Sequence, residues 1–148
     1  MPSTHLSLHF HVVFSTKNRE PWIAAGFRSE LHAYLGGVVR GLEGIPLAVG
    51  GVADHVHLLL GLKATHRLAD VMREIKSESS RWVHQTQKLP AFTWQEGYGG
   101  FTVGPGDLER VRSYILGQEE HHRVKTFQEE YVAMLERAGV EYNPAYLW

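Results

Sequence analysis

From Ile45 to Leu62 the chain reads IPLAVGGVADHVHLLLGL. Two runs rich in aliphatic and β-branched side chains, 45–52 and 55–62, flank Ala53-Asp54, which predicts two strands joined as a hairpin. Upstream, Phe27, Leu31, Tyr34, Leu35, Val38 and Val39 recur at three-and-four spacing. That predicts a helix over 26–42, ending near Gly41 or Gly44. Downstream, Leu68, Val71, Met72, Ile75, Ser79 and Trp82 supply the buried stripe of a second helix, 69–87. Farther out, residues 5–15 (HLSLHFHVVFS) set Leu6, Leu8, Phe10 and Val12 against His5, Ser7, His9 and His11, a period of two and so a strand. On the other flank, 92–94 and 98–103 predict short strands around Gly97, Gly99 and Gly100. The order βαββαβ is that of an α+β ferredoxin-like or RRM-like palm, an antiparallel sheet with helices on one face. Asp107 then caps a third helix through Val111, Tyr114, Ile115 and Gln118, and a fourth, 127–138, stops at Gly139. One domain over 1–148 is expected, with the palm at about 5–104 and a helical extension at about 107–148.

Composition narrows the chemistry. The 148 residues are 43% hydrophobic and 21% charged, enough to build a core and too apolar for wholesale disorder. With no cysteine there is no disulfide scaffold, no thiolate zinc site and no cysteine nucleophile. No apolar run is long enough to span a bilayer. The start, Met1-Pro2-Ser3-Thr4-His5, lacks the basic and apolar regions of a signal peptide, so a cytoplasmic protein is expected. Net charge is −1. Duplex binding by bulk charge is therefore excluded, and any nucleic acid must be held by a local patch, by stacking or by a bound cation. No internal repeat or Gly-rich nucleotide loop is present.

Two small constellations carry possible chemistry. His55 and His57 flank Val56 on a predicted strand, so both imidazoles point to one side. Such a pair is half of a divalent-metal site or simply two solvent-facing strand histidines. Asp54, just before them, either orients a ligand or serves the turn. Tyr114 and Gln118 lie four apart on a predicted helix, one turn from each other. A tyrosine hydroxyl, with a pKa of roughly 10, needs help to attack a phosphate, and a metal on the phosphoryl oxygens lowers that demand. A Gln carbonyl suits Mg²⁺ or Mn²⁺. The bland alternative is packing on an amphipathic helix. His121 and His122 lie three and four residues beyond Gln118, so that on a continuing helix one of them shares its face, but neither is counted among the ligand candidates. Gly117, costing about 1 kcal/mol relative to Ala, either loosens the helix beside Tyr114 or permits close packing.

Taken together, the motifs resemble the single-tyrosine HUH transposases of bacterial insertion sequences, the IS200-like transposases, including relatives associated with repetitive extragenic palindromes. The resemblance rests on His11-Val12-Val13-Phe14 with Thr16-Lys17 and Arg19, and on Asp54-His55-Val56-His57-Leu58-Leu59. It continues through Ile75-Lys76-Ser77 with Ser80, Trp94-Gln95-Glu96-Gly97-Tyr98, and Tyr114-Ile115-Leu116-Gly117-Gln118. The stretches Glu119-Glu120-His121-His122-Arg123 and Thr126-Phe127-Gln128-Glu129-Glu130-Tyr131 are similar as well. The resemblance implies that His55, His57 and Gln118 bind a divalent metal, Mg²⁺ or Mn²⁺, and that Tyr114 is the nucleophile. It implies a homodimer that cuts single-stranded DNA near a hairpin through a 5′-phosphotyrosine link, using no nucleotide cofactor. Lys17, Arg19, Lys76 and Arg81 are then candidate phosphate contacts, against the alternative that each is a solvated surface charge. Trp94, Tyr98 and Phe101 are candidates for stacking on unpaired bases, against the alternative that they are core. Three other functions share the pattern: a non-catalytic or domesticated hairpin-binding protein, an RRM-like RNA binder, and a metallohydrolase with no covalent step.

Overall fold

Strands whose odd and even side chains are both apolar need a cover on each face, and the sheet has one. A computed structural model describes residues 3–148; Met1 and Pro2, part of the start inspected above for a leader, lie outside the described residues. Strands β1 (His9–Ser15), β2 (Ile45–Gly51), β3 (His55–Gly61) and β4 (Gly99–Thr102) form an antiparallel sheet in the order β2-β3-β1-β4. In the central pair, Val13 stands opposite His57 and His11 opposite Leu59. Helices α1 (Ala25–Gly41) and α2 (Leu68–Thr86) close one face. There Val12, Phe14, Val56, Leu58 and Leu60 meet Leu31, Leu35, Val39, Met72 and Ile75. Each such aliphatic side chain, fully buried, contributes about 1.5–3 kcal/mol. Among the described residues no helix is long and apolar enough to cross a membrane.

The opposite face is closed by the chain after the palm. Helices α3 (Leu108–Leu116), α4 (Gln118–His121) and α5 (Phe127–Ala138) follow β4. Val111 and Ile115 of α3 pack on Ala48 and Leu59, while Phe127, Tyr131, Met134 and Leu135 of α5 pack with Val13. Two glycines admit this approach. A Cβ on Gly50 would lie 2.1 Å from the Ile115 carbonyl oxygen, and one on Gly99 would lie 2.6 Å from the Tyr131 ring.

Three expectations shift. The first strand begins at His9 rather than residue 5, because β3 ends at Gly61, opposite His9, and leaves the earlier residues without a ladder. The segment 92–94 is not a strand; it makes a single bridge, Trp94 to Thr16, at the end of β1. The third helix does not run through Gln118. It stops at Leu116, and Gly117 separates it from the short α4.

Candidate functional site

On β3, His55, His57 and Leu59 face α3 and α5, while Val56, Leu58 and Leu60 face α1 and α2. Both histidines are fully buried, which removes the solvent-facing alternative. Three helices complete their surroundings. Tyr114 comes from the last turn of α3, and Gln118 opens α4 just past the break at Gly117. Glu130 comes from the first turns of α5, whose start is fixed by a capping box between Thr126 and Glu129. The Phe127 ring stacks on His55, centroids 4.3 Å apart, and so registers α5 against β3.

The polar atoms converge closely. Gln118 Oε1 lies 3.1 Å from His55 Nε2 and 3.0 Å from His122 Nε2. Glu130 Oε1 is 2.9 Å from His57 Nε2 and 3.4 Å from His55 Nε2. Its other oxygen accepts the Tyr114 hydroxyl and lies 3.2 Å from His122 Nε2. His121 Nε2 is also 3.2 Å from that oxygen but is not aligned to hydrogen-bond with it. Ligand atoms of His55, His57, His122 and Glu130 all fall within 4.8 Å of one another.

The far side of each ring is tied down. His55 Nδ1 donates to Asp54 Oδ1 at 2.7 Å, and His122 Nδ1 donates to the Lys125 carbonyl at 2.6 Å. His57 Nδ1 meets His11 Nε2 at 2.8 Å. Gln118 Nε2 donates to the Tyr114 carbonyl, which aims Oε1 at the cluster. His122 Nε2 thus faces only acceptors, Gln118 Oε1 and a Glu130 oxygen. A cation is what such an arrangement accommodates. The donor set of imidazoles, amide oxygen and carboxylate fits a divalent metal.

The electrostatics follow from burial and charge. Burial opposes protonation of His55, but its hydrogen bonds to Asp54 and Glu130 outweigh that and raise its pKa to about 9. For His57 burial prevails over Glu130 and lowers it to about 4. Burial and the neighbouring His57 lower His11 to about 3. Glu130 is buried too, yet bonds from His122, His55 and His57 hold its carboxyl far below the usual range. Burial, then the bond to Glu130 and its charge, push the Tyr114 hydroxyl above its ordinary value.

Tyr114, His55, His57 and Gln118, expected together, are together. Of the expected DNA-contacting residues, Phe101 lines a cleft beside Tyr114, whereas Lys17, Arg19, Lys76, Arg81, Trp94 and Tyr98 stand elsewhere. Lys76 lies on α2, beneath the other face of the sheet, and donates to the carbonyls of Gln95, Glu96 and Gly97. That burial lowers it to about 8. Arg81, also on α2, pairs with Glu78. Lys17 and Arg19 form a 3₁₀ turn after β1, with Arg19 over the Trp148 ring at 4.9 Å. Trp94 corrects the stacking expectation. It is 5% exposed, edge-on to Phe14 and Phe92, and donates its indole N–H to Ser79 at 2.9 Å. Its faces are spent on the core, so no base can stack there. Tyr98 and Phe101 remain half-buried.

The structure adds residues that sequence reading missed. Glu130, His122 and His11 belong to the cluster; the two adjacent histidines were visible but set aside, and Glu130 gave no spacing signal. Tyr114 also opens onto two clefts. One, about 370 Å³, is lined by His11, Phe101, Arg110 and Arg137; the other by His121, Lys125, Glu130 and Arg137. These cations, not those on α2, surround the tyrosine.

Comparison with known proteins adds the family and the fold. The family described as IS200-like transposase matches residues 4–118. A candidate transposase from Deinococcus radiodurans R1 superposes with a TM-score of 0.65 at 23% identity, over 78% of this chain and 93% of its own. A REP-associated tyrosine transposase bound to a REP hairpin superposes with a TM-score of 0.57 at 16% identity, over 78% of this chain and 68% of its own. At these identities the two structures speak for the fold. No curated protein matches this chain.

Proposed function

The chain belongs to the IS200-like transposase family, and we propose that it is a metal-dependent single-strand DNA transposase that nicks and rejoins DNA near hairpins through Tyr114. The observation that carries this reading is the meeting of the Tyr114 hydroxyl with His55, His57 and Gln118 in one site between the sheet and its C-terminal helices. His55 and His57 would hold the metal with Gln118, each imidazole oriented from behind, by Asp54 and by His11. When bound, the metal supplies positive charge to the phosphoryl oxygens.

The remaining steps belong to the chain. Glu130 holds the Tyr114 hydroxyl and thereby fixes its direction. The Tyr114 oxygen attacks the scissile phosphorus, its hydroxyl proton departs, and a 5′-phosphotyrosine forms as the 3′ oxygen leaves and is protonated to a 3′-OH. The link conserves the phosphodiester energy, so a later 3′-OH attacks it and rejoins strands without a nucleotide cofactor. Arg110, Lys125 and Arg137 line the approach and offer cations to the strand's phosphates. A single domain, a homodimer, a hairpin-bearing single strand as substrate and a cytoplasmic location complete the proposal.

The test uses labelled single-stranded hairpins, including those flanking the gene, with Mn²⁺ or Mg²⁺ and denaturing gels. A metal-dependent protein–DNA adduct, lost in Tyr114→Phe and in His57→Ala, is the expected result. Hairpin binding with neither adduct nor nick would make the protein a binding module. Metal-dependent cleavage that survives Tyr114→Phe would make it a hydrolase.

A further inference from the structure

Glu130 lies outside residues 4–118, the segment matched to the family. Its carboxylate is 2% exposed, and its ion pairs are all with histidines: His55, His57, His121 and His122. Among the described residues no lysine or arginine pairs with it. A carboxylate taken out of water is strongly destabilising unless positive charge compensates it, and here that charge comes from the surrounding histidines or from a metal ion that the same histidines bind.

The spacing of the donor atoms is informative. Two ligands bonded at roughly 2.1–2.2 Å on adjacent corners of an octahedral ion stand about 3.0–3.1 Å apart. Glu130 Oε1 stands 2.9 Å and 3.4 Å from His57 and His55 Nε2, and Gln118 Oε1 stands 3.1 Å from His55 Nε2. The carboxylate oxygen therefore sits where a neighbouring ligand of the same ion belongs. Two imidazoles and one carboxylate also form a recurring set for divalent first-row metals. The position is held firmly: Phe127 stacks on His55, and Tyr131 fills the space beside Gly99.

We propose that Glu130, carried by α5, is a protein ligand to the same metal ion as His55 and His57, so that the C-terminal helix closes the metal centre with a carboxylate. This rests on the metal-dependent reading above and extends it to a residue beyond the matched segment. Gln118 remains the neutral oxygen donor, 3.1 Å from His55 Nε2.

The experiment is calorimetric titration of Mn²⁺ into the metal-free full chain, wild type against Glu130→Gln, with melting temperatures recorded with and without the ion. Glu130→Gln keeps the shape and removes the charge. It is expected to weaken Mn²⁺ binding by about 10- to 100-fold and to abolish most of the metal-induced rise in Tm. Glu130→Asp, which keeps the charge but withdraws it by one methylene, is the second variant should Gln prevent folding, and it too is expected to bind Mn²⁺ more weakly. Mn²⁺ affinity equal to or tighter than wild type in a folded variant would overturn the assignment, because the carboxylate would then only occupy the site. If the wild type itself binds no Mn²⁺, the metal-dependent function falls along with it. Wild-type binding with no effect of Glu130 sinks this inference alone.

Discussion

Replacing Gly50 by alanine tests whether the approach of α3 to the sheet sets the position of the nucleophile. Gly50 is the β2 partner of His57. A Cβ there would stand 2.1 Å from the Ile115 carbonyl oxygen and 3.0 Å from its carbon, where ordinary contacts begin at 3.4 Å. The obstacle is backbone, so no rotamer change relieves it, and α3 has to retreat by more than an ångström. Overpacking of this kind costs about 1–3 kcal/mol. For a chain of 148 residues each kcal/mol lowers Tm by about 2–4 °C, so a fall of several degrees is expected. The chemical effect is larger. Tyr114 precedes Ile115, and a misplacement of about 1 Å costs about 100-fold in rate. His55 and His57 lie on β3 and keep their positions, but Gln118 is tied to the Tyr114 carbonyl and moves with α3, so Mn²⁺ affinity also falls, by less than the adduct rate. The assay follows adduct formation on a hairpin substrate beside calorimetric Mn²⁺ titration and thermal melting. Gly37→Ala serves as the control, because a Cβ there meets nothing within 4 Å, and it raises stability by up to about 1 kcal/mol. An adduct rate in Gly50→Ala within a factor of three of wild type would refute the reasoning.

Three other outcomes are expected. Arg137→Ala weakens binding of single-stranded hairpin DNA and lowers its salt dependence, whereas Arg81→Ala changes neither, because Arg137 lines both clefts beside Tyr114 and Arg81 sits on α2 paired with Glu78; equal effects in a fluorescence-anisotropy salt series would contradict this. Trp94→Ala loses about 3–5 kcal/mol in denaturant melts through its buried contacts and its bond to Ser79, and a stable variant with weakened DNA binding would restore the stacking role. His32 is lowered to about 4 by burial and by Arg28, and its Nε2 has no partner. With the folded pKa below the unfolded value of 6.5, the unfolded chain takes the proton first, so stability is lost as pH falls from 6.5 toward 4. His32→Leu is expected to reduce that loss by about 1–3 kcal/mol, read from denaturant melts at pH 7 and pH 4.5; parallel pH profiles would sink it.

The palm was legible because its signals are local. Period two along β1 and β3 and three-and-four spacing along α1 and α2 placed those elements to within a few residues. The hairpin at Ala53-Asp54 lies where it was read. The pairing of His55 with His57 follows from strand geometry alone, and Tyr114 with Gln118 from one helical turn, although the chain breaks at Gly117 between them. Glu130 was not legible. It is 73 residues from His57 and reaches it only because α5 folds back over the sheet, a tertiary event with no sequence period. The phosphate-contact candidates on α2 stand apart from Tyr114 for a related reason. Lys76 and Arg81 carry the right charge, but their helix packs on the face away from Tyr114, and a linear reading does not tell the two faces of a sheet apart. Trp94 showed a short apolar run that served packing at the end of β1 instead of extending the sheet.

The division between the two faces also explains how the site tolerates so much buried polarity. The face under α1 and α2 is apolar and needs nothing beyond the βαββαβ unit. The other face carries His11, His55 and His57 among Val13, Ala48 and Leu59, and by itself would leave both imidazoles and aliphatic groups in water. Two apolar clusters cover it from either side: α3 through Val111 and Ile115 over Ala48 and Leu59, α5 through Phe127, Tyr131, Met134 and Leu135 against Val13. Tyr114 and Glu130 meet in the seam between these clusters. The burial that docks each helix, about 1.5–3 kcal/mol for each large apolar side chain, offsets the desolvation of the polar groups the helices carry inward. Docking and assembly of the site are thus one event. That is why the nucleophile and the buried carboxylate come from the helices that follow the palm, while the palm contributes the histidines.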